Sequence, residues 1–185
     1  MTDLKHTTPT KLLWVDLEMT GLEPNQDVIL EIAAEITDFD FTPIASYEAR
    51  IKHERSDVEQ LMKANAWWNA YPANRDDFLD KLEGAKPLAD VEKELIALVK
   101  TQFGDEPAVL AGNSIHADRG FIEYHWPELT KLLHYRMLDV TSWKVVMQGK
   151  YGLEYTKKET HRAFDDIHES IEELQFYLQR MKNGS

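Results

Sequence analysis

The sequence predicts an α/β fold: one five-stranded mixed sheet with helices on both faces. Three observations carry that expectation. Three strand-like runs follow one another within the first fifty or so residues. Beyond them, short apolar runs alternate with helical ones. The last segment is a long amphipathic helix, suited to cover one sheet face.

The elements follow in order. Leu12 to Val15 is an apolar run that reads as a buried strand, and Thr20-Gly21 turns the chain after it. Residues 27–36 place Leu30, Ile32, Ala34 and Ile36 on one strand face and Glu31 and Glu35 on the other, expected to be solvated. A turn over 38–43 leads to a third strand over 45–52, completing a meander. Residues 56–71 read as one helix with Trp67 and Trp68 near its end, stopped by Pro72. A short helix over 74–83 and a longer one from Pro87 to about Phe103 follow, the latter ended by Gly104. Residues 108–112 form a buried strand, 117–126 a helix, and 135–140 a fifth strand. Residues 141–147 are a helix expected to be capped by Thr141 or Ser142, and 149–158 a polar loop. In the final helix Phe164, Ile167, Ile171, Leu174, Leu178 and Met181 step by three and four, one apolar stripe.

Composition narrows the function. The length suits one domain, 1–185, with 1–10 and 182–185 as frayed ends. There is no cysteine, hence no disulfide and no thiolate metal site. No signal-peptide core or membrane-length apolar run is present, so a cytoplasmic protein without a membrane partner is expected. A net charge of −12 argues against a long track for duplex DNA. Residues 131–162, however, hold seven lysines and arginines against three acids, which leaves −16 on the rest. An anionic substrate should therefore be small and touch this segment.

The chemistry begins at the end of the first strand. Asp16 and Glu18 are two apart and point the same way, so their carboxylates project together. Such a pair is either half of a divalent-metal site or two solvated charges at a strand end. Asp118 stands where a loop enters a helix. Asp165-Asp166 opens the last helix, where acids are also favoured by the helix dipole. Asp166 flanks the apolar stripe and Asp165 turns toward water, so Asp166 is the ligand candidate. His161 precedes it in His161-Arg162-Ala163-Phe164-Asp165-Asp166.

Four motifs together, Trp14-Val15-Asp16-Leu17-Glu18-Met19-Thr20-Gly21-Leu22, Gly112-Asn113-Ser114-Ile115 with Asp118, His134-Tyr135-Arg136-Met137-Leu138-Asp139-Val140, and the His161–Asp166 run, carry a resemblance. The chain resembles the DEDDh family of 3′-to-5′ exonucleases, which is similar in fold to ribonuclease H, and within it the oligoribonuclease subfamily. The resemblance implies that Asp16, Glu18, Asp118 and Asp166 hold two Mg2+ or Mn2+ ions and that His161 is the general base. Oxygen-only ligation suits those ions, and an imidazole with an ordinary pKa near ~6.5 can take a proton from water. The resemblance also implies hydrolysis of short single-stranded RNA, dinucleotides especially, to 5′-mononucleotides by a homodimer in which Tyr135 reaches the partner's site. Arg136 and Ser114 match residues near the substrate's 5′-phosphate. Leu17 and Trp68 match positions that pack on the bases, with Trp67 as the alternative. Thr141 and Ser142 offer hydroxyl donors in an order reversed from the family's usual one, and Met19 and Asn113 complete the substrate-binding set. A DEDDh exonuclease for longer chains and a binding module without catalysis are the two competing readings.

Overall fold

A computed structural model describes residues 8–156 and 163–182. The five strands form one sheet in the order β3-β2-β1-β4-β5. β1 (Lys11–Met19), β2 (Ile29–Asp38) and β3 (Pro43–Arg50) are the expected antiparallel meander. β4 (Ala108–Gly112) and β5 (Leu133–Asp139) extend it in parallel on the other side of β1. The carboxyl ends of β1, β4 and β5 therefore meet at one edge, where open α/β sheets commonly place their ligands.

Helices cover both faces, as the sequence predicts. On one face Leu13, Val15, Leu17, Ile32, Ala34 and Ile36 pack against α4 (Leu88–Phe103) and α5 (His116–His125) through Val91, Leu95, Val99, Phe121 and Ile122. On the other, Leu12, Trp14, Ala33, Val109 and Ala111 meet α8 (Ala163–Lys182) through Ile167, Ile171 and Leu174, and α7 (Val140–Tyr151) through Val140. Each fully buried aliphatic side chain contributes about 1.5–3 kcal/mol relative to exposure. The Trp14 indole N–H donates to Thr37 Oγ1 at 3.0 Å, so its burial leaves no polar atom unpaired. α6 (Pro127–Thr130) lies between α5 and β5.

The helical block after β3 departs from expectation. The helix expected over 56–71 is two, α1 (Arg55–Ala64) and α2 (Ala66–Ala70), broken at Asn65. Asn65 is extended, its Oδ1 accepts the Trp67 N–H at 2.9 Å, and its Nδ2 donates to the Thr20 carbonyl. An asparagine cap thus ties the block to the turn after β1. Pro72 starts α3 (Pro72–Asp80) rather than ending a helix, because proline fits a first helical turn. A short 3-10 turn (Leu82–Gly84) closes the block.

Three further expectations are corrected. α7 is capped by Asp139, whose side chain accepts the Thr141 N–H, not by Thr141 or Ser142. It also runs through Gly149 to Tyr151, and Gly152 ends it in the left-handed region. Glu31 and Glu35 are each only 4% exposed, because α8 packs over the face expected to be solvated and β3 brings Arg50 alongside it. Each has a partner: the Arg50 Nε lies 2.6 Å from Glu31, and the His168 Nε2 lies 3.0 Å from Glu35.

Candidate active site

Asp16 and Glu18 leave the end of β1 on the α8 side of the sheet, and Asp166 comes from the first turn of α8. Oxygens of these three carboxylates lie within 4.8 Å of one another. Burial pushes the Glu18 carboxyl up to about 8, helped by the charges of Asp166, Glu31 and Asp118. Asp118 stands beside this trio in the first turn of α5. Beyond Trp14 the pairing of β1 with β4 ends, and the Leu17 N–H donates to Asp118 Oδ1 at 2.9 Å. Burial pushes Asp118 up to about 7; the hydrogen bond from Leu17 N–H opposes the shift, and Asp139 adds to it. A half-buried, all-oxygen cluster in which Glu18 and Asp118 resist losing their last protons is a donor set for a hard divalent cation. Asp165 is exposed, as its place off the stripe predicts. His161 lies outside the described residues.

The turn after β1 is rigid for local reasons. Thr20 Oγ1 donates to Asp27 Oδ1 at 2.8 Å, and Asp27 Oδ2 accepts the Glu23 N–H at 3.0 Å. A Cβ on Gly21 would strike the Asp27 carboxylate, which explains the glycine there.

A second group gathers at the ends of β4 and β5. Ser114 sits at φ 51°, a strained region for a serine. Two bonds hold it there: its N–H donates to Asp139 Oδ1 at 3.0 Å and to Thr141 Oγ1 at 2.9 Å. The Ser114 and Thr141 hydroxyls are 3.1 Å apart, and His116 Nδ1 lies 3.5 Å from Asp139 Oδ2. Tyr135 is 66% exposed on the edge strand β5, with the Arg136 guanidinium 5.2 Å from its ring centre. Ser142 is exposed at the start of α7.

The expected base-packing residues fare differently. Trp68 is 2% exposed and packs with Leu30, Val58, Met62 and Phe78, while its Nε1 donates to the Met19 carbonyl at 3.2 Å. A ring so enclosed has no face open to a base; hydrophobic burial claims it. Trp67 is the exposed indole, at 39%, set edge-on to Trp68 and beside Tyr71. Leu17 is likewise buried in the core, with Met19 packed partly against it.

Sequence reasoning passed over Asp139 as a cap and the polar row Ser170, Glu173 and Tyr177. That row was detectable: Asp166, Ser170, Glu173 and Tyr177 step by four, three and four, a second stripe beside the apolar one.

A mixed sheet of this order, with an acidic cluster at the end of its central strand, defines the ribonuclease H-like nucleases. The exonuclease family model, RNase_T, matches residues 13–174. The oligoribonuclease of Pseudomonas syringae pv. tomato is 39% identical over 90% of this chain and 93% of its own length. That of Thiobacillus denitrificans is 35% identical over 91% and 93%. The chain belongs to the exonuclease family, in its oligoribonuclease branch. Among solved structures, E. coli exonuclease I in complex with single-stranded DNA matches with a TM-score of 0.63 at 13% identity, over 94% of this chain. The chain spans 41% of that larger enzyme, and the likeness bears on the fold alone.

Proposed function

We propose that this protein is a 3′-to-5′ exoribonuclease that hydrolyses very short RNA, dinucleotides above all, to 5′-mononucleotides. The observation that carries the reading is the carboxylate trio of Asp16, Glu18 and Asp166 beside Asp118, in a chain akin to oligoribonucleases along nearly its whole length. These four residues would hold two Mg2+ or Mn2+ ions, which when bound supply activation of the attacking water and stabilisation of the departing 3′-oxygen. The water oxygen bonds to phosphorus, the P–O3′ bond breaks, and His161 takes the water's proton.

The remaining residues bind and orient. Arg136, Ser114 and Ser142 present charge and hydroxyl donors to the substrate's 5′-phosphate, with Thr141 beside Ser114. Trp67, the exposed indole, replaces Trp68 as the base-stacking surface. The chain acts as one exonuclease domain in a cytoplasmic homodimer, with Tyr135 reaching the partner's site. The exposed apolar side chains Val145, Val146, Tyr151 and Met181 on α7 and α8 support an interface. No helix among the described residues is long and apolar enough to cross a membrane.

A substrate-length series tests the reading. Labelled RNAs from a dinucleotide to a long oligomer are incubated with Mg2+ and with EDTA, and kcat/KM is measured for each. A steep, metal-dependent preference for the dinucleotide is expected. Equal or faster cleavage of the longest would make this a general exonuclease, and no cleavage at any length would leave a binding module.

A further inference from the structure

Glu173 is a carboxylate with no exposed surface. It lies two turns along α8 from Asp166 and has no part in the chemistry above. Its Oε1 accepts the Tyr177 hydroxyl at 2.8 Å, and its Oε2 accepts from Asn113 Nδ2 at 3.2 Å. No lysine, arginine or histidine bonds it among the described residues. The same Asn113 amide nitrogen donates to Ser170 Oγ at 2.9 Å, and Ser170 Oγ in turn donates to the Asp166 carbonyl at 2.8 Å.

These contacts settle which way Asn113 faces. A carboxylate only accepts, so the amide nitrogen must face Glu173, and both its protons are engaged there. Its Oδ1 is then turned to Thr141, whose hydroxyl donates to it at 3.3 Å. With its single proton committed, Thr141 Oγ1 accepts the Ser114 N–H. The 3.1 Å contact between the two hydroxyls is then donated by Ser114, so of the two only Ser114 has a proton that a stronger, anionic acceptor can draw outward.

We infer that Asn113 is a positioning residue, oriented by the buried carboxylate of Glu173, that commits Thr141 as an acceptor and leaves Ser114 as the hydroxyl that donates to the substrate's 5′-phosphate. This rests on the proposed phosphate contact at Ser114. Asn113, expected from the sequence to bind substrate, has its polar atoms engaged inside the protein and acts through its neighbours. The bridge also joins α8, which carries Asp166, to the turn that carries Ser114.

The test is a reversal of the hydrogen bond. kcat and KM are measured with Mg2+ on diadenylate bearing a 5′-phosphate and on the same dinucleotide ending in a 5′-hydroxyl. Asn113→Asp sets two carboxylates face to face; it is expected to lower kcat/KM on the phosphorylated substrate by about tenfold or more, mainly through KM, and on the other by less than about threefold. Adding Glu173→Gln restores an amide facing a carboxylate in the opposite sense, and should recover most of the loss. An equal loss on both substrates, or a double variant no better than Asn113→Asp, overturns the inference. If the wild-type enzyme does not distinguish the two substrates, the phosphate reading itself fails. The relay is then judged by hydrogen exchange at the Ser114 amide: faster in Asn113→Asp and slowed again in the double variant supports it, and unchanged exchange overturns it. Should Asn113→Asp not fold, Asn113→Ala removes the donor without the facing charges and carries the same comparisons.

Discussion

Glu18 and Glu31 are directly opposed across β1 and β2, yet they are treated in opposite ways. Glu31 is neutralised from its far side, because Arg50, its neighbour on β3, brings Nε to 2.6 Å. Glu18 faces further acids, and burial and every neighbouring charge push its carboxyl up, to about 8. A sheet that can supply an arginine one strand away withholds it at the site. The difference teaches which carboxylate serves the fold and which awaits a cation from solution: structural acids are compensated by the protein, and ligand acids are left costly until metal binds.

The sharpest way to break that distinction is to neutralise the ligand side. Glu18→Gln, Asp16→Asn and Asp118→Ala should each reduce Mg2+-dependent hydrolysis by about 10³-fold or more, since losing a metal ligand forfeits several kcal/mol of transition-state stabilisation. Circular dichroism should remain native. Near wild-type turnover in any of them would remove that residue from the metal set.

Proton linkage separates the two acids without an assay of activity. In the metal-free protein Glu18 and Asp118 are held above their unfolded values, at about 8 and about 7. The folded state then binds protons more tightly than the unfolded chain. Their contribution to stability is full below about pH 4 and is lost as the pH rises through about 7 to 8. In EDTA, Glu18→Gln should therefore melt several degrees above the wild type at pH 9, with the advantage shrinking toward pH 5. Added Mg2+ competes with the same protons, so it should raise the wild-type Tm more at pH 9 than at pH 6. An equal rise at both pH values would mean that the ion binds elsewhere.

On the structural side the expected sign is reversed. Arg50→Met leaves the Glu31 carboxylate buried next to Glu18 and also removes a cation from the Phe78 ring, 5.7 Å away. Because Arg50 is partly exposed, the cost should fall toward the lower end of the range for broken buried pairs, about 2–4 kcal/mol. Urea unfolding measures it. Adding Glu31→Gln should recover much of the loss, and no recovery would show that Arg50 works by packing alone.

Much of this was readable in the sequence, and the limits have physical causes. The alternation along β1 put Asp16 and Glu18 together, and helical spacing turned Asp166 inward and Asp165 out, because those periods belong to the backbone itself. Burial of Glu31 and Glu35 was not readable, since it depends on Arg50 and His168 arriving from other elements. The same holds for Trp68. Two adjacent indoles look alike in sequence, and only the break at Asn65 decides which one turns into the cluster around Phe78. Asn113 looked like a ligand contact because its partners, Ser170 and Glu173, lie some sixty residues downstream.

The smallest effect sharpens the comparison within the structural acids. Glu35 is as buried as Glu31, but its partner is His168, whose side chain is about half exposed. An exposed imidazole is solvated, keeps much of its rotamer freedom and carries full charge only when protonated, whereas the arginine at Glu31 is charged at any working pH. His168→Ala should therefore cost only about 1 kcal/mol, clearly less than Arg50→Met under the same conditions. His168→Gln, which can still donate to Glu35, should fall closer to wild type than His168→Ala. If His168→Ala instead proves as damaging as Arg50→Met, the half-exposed histidine is holding α8 to β2 more tightly than its exposure implies. The contrast between the two buried glutamates would then rest on which elements they join rather than on the charge of their partners.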